Sequence, residues 1–593
     1  MMNKKITYLG KIVNVNSGKV DVTISRDVPS STPIIEGVQY KIGQIGTLVK
    51  IPLGNSILYG VVDSVSITGT NIDDDTVIDE ENITRIIKVS LIGEKVGKGK
   101  FQKGVGTFPT INDEVHIVTD KDLKMIYDFD STGQIELGRH ASSTDLPIYL
   151  DLQKIVSRHL AILGSTGSGK SNTTARVIYN ILDKFKGSRM ILVDVHGEYA
   201  SAFPDLSKVM SLNSVSSPLY IPFWAMNFDE LSFFLVGREM GSERQEDKRL
   251  REEVLKLKLL NKDTLKAGKI DEEYITEDSP IPFDIRLMWH NLNREVNATY
   301  SESNQVKQTK ETEMLINEGD YKKLIPAKFS PYTVDSTAPY KSKDQTMYSY
   351  EKKIFSRLSD NKYDFMFKPG DYIDGKIKDL NDLLEEWMDH EKRLTILDLS
   401  GIPFELMDIS IGLINRIVYD SMFWGKDELY TGRARPILMI YEEAHTYLPK
   451  NQDSRYIYGY ARKSVEKIFK EGRKFGIGSI VITQRPSEIS DTILAQVGTT
   501  IALRLTNSSD QGTVKATAPN NMTGLMELLP TLRVGECIVV GDAVKIPSRV
   551  RIQEFEPRPS SNDPDVISSW SKEANKEEDN YRSVVKKMRE RRF

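Results

Sequence analysis

Ala161-Ile-Leu-Gly-Ser-Thr-Gly-Ser-Gly-Lys-Ser-Asn-Thr-Thr174 decides how this chain is read. Ala161, Ile162 and Leu163 form the end of a buried strand. Gly164, four intervening residues, Gly169, Lys170 and Ser171 then fit G-x-x-x-x-G-K-[ST], the signature of a phosphate-binding loop. Gly164, Gly167 and Gly169 carry no Cβ and are open to positive φ, so the N–H groups of the loop, through Ser165, Thr166 and Ser168, converge on a phosphate at the start of the next helix. Lys170 is expected to neutralise the β- and γ-phosphates and the Ser171 hydroxyl to ligate Mg²⁺, while Asn172 completes the set at the head of the helix. The spacing predicts a helix from Asn172 to Leu182 with Ala175, Ile178, Tyr179 and Leu182 on one face. A Gly/Ser-rich linker would match the composition, but it would not sit between a strand pattern and a helix pattern. ATP and Mg²⁺ are therefore the expected ligands.

The 593 residues suggest about three or four domains. With 39% hydrophobic residues there is material for sizeable cores, as in an ordinary soluble globular protein. Lys and Arg number 80 against 84 Asp and Glu, a formal charge of −4, so any nucleic-acid site must be a local patch or a pore lining. The single cysteine, Cys537, excludes an internal disulfide and a multi-cysteine zinc site and fits a reducing cytoplasm. There is no run of roughly 18 or more apolar residues and no signal-peptide pattern at Met1 to Gly10, so neither export nor a membrane span is expected.

Residues 1–145 read as short β-branched segments broken by Gly, Asn, Asp and Pro, for which a small closed barrel is the economical arrangement. Thr68 to Asn82, rich in Asp, Thr and Glu, reads as a solvated connection between strands. No cluster of titratable residues marks this region as catalytic, which favours an assembly platform. From about 146 the pattern becomes strand, helix, strand, as in an α/β fold with a parallel-rich sheet covered on both faces. That core is expected at 146–225 and 391–560. It is interrupted by a mainly helical insertion at 226–390, within which Tyr300 to Tyr350 is a polar excursion, and it is followed by a helical tail at 561–593 ending in Lys586, Lys587, Arg589, Arg591 and Arg592.

The strand Ile437 to Ile440 delivers Tyr441-Glu-Glu-Ala-His445 at its C-terminal end, where ligands bind in open α/β sheets. Beside a phosphate-binding loop that position calls for two carboxylates, Glu442 for the magnesium shell and Glu443 to orient or deprotonate the attacking water. Asp is more usual at the first, and the longer Glu442 reaches magnesium through a water. Thr483-Gln-Arg-Pro486 ends another strand and places Gln484 at the γ-phosphate or the lytic water. Charge on the transferring phosphoryl group calls for an arginine, often from a neighbouring subunit. Arg473, in Glu471-Gly-Arg-Lys474, and Arg158, in Ser157-Arg-His-Leu160, are both candidates, and a surface salt bridge is the ordinary alternative for each.

The ordered set Gly164 to Ser171, Asp194-Val-His-Gly-Glu-Tyr199, Asp398-Leu-Ser-Gly-Ile-Pro403, Tyr441 to His445, Glu471 to Lys474 and Thr483 to Pro486 resembles the HerA family of hexameric DNA-translocating ATPases, relatives of FtsK. The match spans about 150–225 and 390–555, and the N-terminal β region resembles that family's HAS barrel. The resemblance implies a RecA-like P-loop core and a homohexameric ring with DNA through its pore. It also implies an arginine acting in trans and a partner nuclease of the NurA kind. Some HerA-like ATPases instead pair with Sir2-like or other effector enzymes in anti-phage defence. A scaffold ring that uses ATP to assemble and gate such an effector is the competing function. A protein-remodelling ATPase is a third reading, disfavoured by the lack of a substrate-loop aromatic signature.

Overall fold

Alternation builds the N-terminal domain. In Lys19–Ile24 every second residue, Val20, Val22 and Ile24, is buried, the period-two pattern of a strand with one face on a core. The computed structural model describes residues 7–26, 28, 34–35, 38–39, 43–68, 84–127, 132–141, 146–237, 244–303, 308–332, 337–451, 459–518, 523–560, 566–571 and 580–590. Six strands, β1 (Tyr8–Asn16), β2 (Lys19–Ile24), β3 (Leu48–Leu53), β4 (Ser56–Thr68), β5 (Thr84–Val96) and β6 (Glu114–Ile117), run antiparallel in the order β2-β1-β6-β3-β4-β5. Pairing of β2 with β5 closes the ring and leaves neither strand with a free edge there, as expected of a small barrel. Leu9, Ile12, Val22, Ile51, Leu58, Val62, Ile87 and Val89 fill the interior. The connection expected over Thr68 to Asn82 lies, from residue 69 on, outside the described residues.

A bulge in β4 between Val62 and Ser64 turns Asp63 out of the ladder. One oxygen of its carboxylate accepts from Lys19 Nζ at 2.7 Å and Ser90 Oγ at 3.2 Å, and the other from the backbone N–H of Gly524 at 2.7 Å. Gly524 belongs to the ATPase core, and a Cβ there would fall 1.9 Å from the Asp63 carbonyl oxygen.

Strands β7 (Gln134–His140) and β8 (Pro147–Asp151) begin a second sheet, so the barrel ends sooner than the expected boundary at residue 145. Period-two alternation identifies a strand but not its partner. The helix α1 (Leu152–Arg158) is capped by Asp151, whose side chain accepts from Lys154 N. It leads into β9 (Leu160–Leu163), then α2 (Lys170–Lys184) and β10 (Met190–Asp194). Later come β11 (Ile437–Tyr441), β12 (Ile477–Thr483), β13 (Thr499–Leu503), β14 (Glu536–Gly541) and β15 (Ser548–Arg551). Their order is β8-β7-β15-β14-β13-β9-β12-β11-β10. Pairings from β13 to β10 are parallel, those from β13 out to β8 antiparallel. Every residue of β9, β10, β11, β12 and β13 is buried, as the unbroken apolar runs imply for strands covered on both faces.

A second unit contains residues 208–421, 454–464 and 562–593. It is mainly helical, through Phe228–Val236, Gln245–Asn261, Ile285–Asn297, Tyr348–Leu358, Leu380–Met388 and most of Phe404–Trp424. Asn227 and Glu230 form a capping box at the first of these, and Arg416 clamps Glu230 through Nε at 2.8 Å. The polar tract 300–350 includes two short ladders, Thr299–Tyr300 with Tyr340–Lys341 and Leu315–Asn317 with Lys328–Phe329. In the tail Val566–Trp570 and Asn580–Glu590 are helical. Among the described residues no helix is long and apolar enough to cross a membrane.

Candidate functional site

Parallel strands put their C-terminal ends on one edge of the sheet, and the expected nucleotide residues collect there. Between β9 and α2 the loop is held by its neighbours. Gly164 N–H donates to the Thr483 carbonyl at 3.3 Å, and Ser165 donates through both its N–H and its Oγ to the Arg504 carbonyl at 2.9 Å. Gly167 and Gly169 adopt φ of 71° and 104°. Gly164 does not take positive φ and is required for its missing Cβ alone: a Cβ there would lie 2.6 Å from Ser168 Oγ and 2.8 Å from Leu503 Cβ. Of the expected helix face, Ala175, Ile178 and Leu182 are buried, while Tyr179 is half-buried with its ring 5.3 Å from that of Phe555. Asn172 joins the same neighbour: its side chain donates to the Gln553 carbonyl at 3.2 Å and accepts from Phe555 N–H at 2.8 Å.

Lys170 is buried, with Nζ 3.3 Å from the Ser165 carbonyl that accepts from it. Burial pulls its ammonium below the ordinary lysine value, opposed by the negative charges of Glu443, Glu442 and Glu198. Glu442 and Glu443 follow β11 as expected, both buried, and their environments drive them apart. Burial, with the adjoining Glu443, Asp194 and Glu198 charges, raises Glu442 well above the usual carboxylate range. Burial also acts to raise Glu443, but a hydrogen bond from His445 and the charges of Lys170 and His196 hold it below its ordinary value. Glu443 takes φ of 42°, a strained conformation for a side chain of this type that turns it off the strand end. Gln484 meets the loop directly, its Oε1 accepting from the Thr166 hydroxyl.

Three residues to which the motifs alone assign no role complete this edge. Asp194 ends β10, is fully buried, and accepts from the N–H groups of His196, Gly197 and Tyr199, which fixes the turn. That turn carries Glu198, whose Oε2 accepts from Ser171 Oγ at 3.4 Å. His445 Nδ1 lies 3.1 Å from Glu443 Oε2. An acidic pair after a second buried strand on the same sheet edge was the available signal for Asp194 and Glu198.

The donor set suits a magnesium ion bound with phosphate and water. Ser171 and Glu198 stand together at the head of α2, and Glu442 Oε2 is buried without a hydrogen-bond partner. Among the described residues no group of three or more His, Cys, Asp or Glu makes a metal cage of its own. Mg²⁺ keeps several waters and takes only one or two carboxylates beside substrate phosphates.

Arg158 and Arg473 lie elsewhere. Arg158 precedes β9 and Arg473 precedes β12, so both sit at the N-terminal ends of strands whose C-terminal ends carry the loop and Gln484 respectively. Both are exposed, and Arg158 NH1 is 3.9 Å from Asp542 Oδ2. His159 stands between them. It is buried at φ 58°, and its Nε2 donates to the Phe469 carbonyl at 3.1 Å, four residues before Arg473.

Two family profiles match the chain in succession, "Helicase HerA, central domain" over residues 135–418 and "Helicase HerA-like C-terminal" over 433–591. A DNA double-strand break repair helicase HerA from Saccharolobus solfataricus is 28% identical over 453 residues, 76% of this chain and 75% of the relative. One from Sulfurisphaera tokodaii is 26% identical over 539 residues, 89% of this chain and 92% of the relative. Among solved structures, VirB4 of Thermoanaerobacter pseudethanolicus aligns at a TM-score of 0.46 and 12% identity, over 72% of this chain and 98% of that one. The plasmid coupling protein TrwB with a non-hydrolysable ATP analogue aligns at 0.43 and 14%, over 76% and 95%.

Proposed function

The chain belongs to the HerA helicase family and is an ATPase, and from that premise we propose that it is a homohexameric motor that threads DNA through a central pore for a partner nuclease or effector enzyme. The observation that carries the reading is the convergence of Lys170, Ser171, Glu443 and Gln484 on one sheet edge from three separate stretches of chain. Lys170 and the loop N–H groups bind the ATP phosphates. Ser171, Glu198 and Glu442 would hold Mg²⁺, which would supply positive charge to the phosphoryl oxygens. Glu443, kept ionised, accepts the proton of the attacking water, and Gln484 reports phosphate state to the loop.

Arg473 and Arg158 are assigned to the site of the adjoining subunit. Four residues of β9 at about 3.3 Å each place roughly 13 Å between Arg158 and its own phosphate loop, and the longer β12 places Arg473 farther still. An arginine side chain does not span that distance. The barrel at the N-terminus is assigned to ring assembly and to docking of the partner, a nuclease of the NurA kind or a Sir2-like defence effector.

DNA should stimulate ATP hydrolysis by the full-length protein, and the stimulation should fall steeply as salt rises, because phosphate contacts release counterions. ATP turnover indifferent to DNA at every salt concentration would replace the motor by a scaffold ring that gates an effector. Mass spectrometry of partners captured with the native protein identifies which effector is served.

A further inference from the structure

Thr483, the last residue of β12, and Glu443, the first residue after β11 but one, both aim at a single nitrogen. His445 Nδ1 is 3.1 Å from Glu443 Oε2 and 3.2 Å from Thr483 Oγ1. The ring reaches both because the positive φ of Glu443 and the tight turn Ala444–Thr446 fold it back over the strand end. The side chains of Glu443 and His445 are nearly enclosed, 12% and 11% exposed, so water does not compete freely for these contacts.

We infer that His445 is a positioning residue that fixes the Glu443 carboxylate for hydrolysis and ties it to the strand that carries Gln484. The inference rests on Glu443 being the lytic carboxylate. Its physical basis is the inventory of lone pairs and protons. A carboxylate oxygen only accepts, so Nδ1 must carry the proton for the 3.1 Å approach to be attractive. The same Nδ1–H lies within reach of Thr483 Oγ1, which also accepts from the N–H of Arg485 at 3.0 Å. Thr483 thereby stands on both sides of the connection. Its hydroxyl lies 3.2 Å from the imidazole nitrogen that faces Glu443 at 3.1 Å, and it precedes Gln484, whose amide oxygen takes the Thr166 hydroxyl of the phosphate loop. A shift of β12 that follows the phosphate loop changes how the imidazole is shared, and with it the aim of the carboxylate. The other charged groups facing Glu443 are Lys170 on α2, His196 and Glu198 after β10, Glu442 beside it and Arg485 just after β12. Of these side chains, His445 is the one whose ring nitrogen lies within 3.2 Å of both Glu443 and Thr483.

A base whose orientation is set by a third group loses turnover when that group is removed, without losing substrate binding. In the full-length protein with DNA, His445→Leu should lower kcat about 10- to 100-fold, the range typical of an orienting partner one step behind a reacting group, and leave KM and the ATP Kd unchanged. His445→Asn places an N–H near the Nδ1 position and should restore most of the lost kcat. Thr483→Val should give a smaller loss in kcat alone. Wild-type kcat in His445→Leu overturns the inference, as does an equal loss in the Asn and Leu variants, which would mark simple packing, or a loss confined to KM. Glu443→Gln assayed alongside separates the two layers of argument. If that variant still turns over ATP, the lytic assignment itself has failed; if it is inactive while His445→Leu is fully active, the positioning role alone has failed.

Discussion

Ser171 Oγ donates to Glu198 Oε2 at 3.4 Å, which links the head of α2 to the turn after β10 and brings a second carboxylate to the side of the loop where Glu442 lies, the place proposed for Mg²⁺. Burial and the nearby Asp194 charge raise the Glu198 carboxyl, and the Ser171 hydroxyl and the His196 charge act the other way. Glu198→Gln should raise the Mg²⁺ concentration needed for half-maximal turnover by about 10- to 100-fold, as loss of an orienting partner does at other metal sites. An unchanged Mg²⁺ titration would leave Glu442 and Ser171 as the only protein groups on the ion.

The proposed function gives Lys170 and Glu443 separable duties, and their variants should divide accordingly. Lys170→Ala should weaken ATP binding and abolish turnover. Glu443→Gln should keep ATP bound and lose only hydrolysis, by well over the tenfold that corresponds to about 1.4 kcal/mol of barrier. Equilibrium binding of a fluorescent ATP analogue beside steady-state hydrolysis decides it; near-wild-type hydrolysis by Glu443→Gln would exclude it as the lytic group.

Arg473→Ala should bind ATP and hydrolyse it about 10³ to 10⁵ times more slowly, the usual cost of removing an arginine finger. Mixed with Lys170→Ala subunits, it should regain part of the activity, because some interfaces then pair an intact loop with an intact Arg473. Absence of recovery despite verified subunit exchange counts against action in trans. Full activity of Arg473→Ala alone would move the role to Arg158.

His159 supplies a pH dependence whose sign is fixed. Burial pulls its imidazole down from an ordinary value near 6.5 to about 4; the Phe469 carbonyl opposes this and the Arg473 charge adds to it. Between those values the unfolded chain holds one more proton than the folded one, so stability rises with pH. The contribution is complete above about pH 6.5 and lost as pH falls toward 4, on the order of 3 kcal/mol in all. Its Nδ1 is buried without a partner, so a second proton has nowhere to donate. Urea midpoints of wild type and His159→Gln, compared from pH 7 down to 4.5, should converge as the pH falls. A constant difference would show that His159 is not held neutral.

The placement of the candidate site was legible in the sequence wherever a motif is contiguous. Gly164 to Ser171 lies between β9 and α2 as expected, and Glu443 and Gln484 follow strands whose apolar runs end in polar residues. Contacts that join distant stretches were not legible. Glu198 reaches Ser171 across 27 residues and His445 reaches Thr483 across 38, and no local periodicity encodes either meeting. The boundary of the barrel was misplaced for a related reason, since Gln134–His140 alternates like a barrel strand while its partners, Pro147–Asp151 and Ser548–Arg551, belong to the other sheet. Polarity alone described the tract 300–350 and gave no hint of its two short ladders, which are held by backbone pairing.

Asp63 and Gly524 make the barrel and the ATPase core a matched pair. Any side chain at position 524 would collide with the β4 backbone, and any barrel without a carboxylate at the bulge would leave a buried N–H without its acceptor. A barrel borrowed from a distant relative therefore seats on this core only if it brings its own acidic peg to the glycine socket.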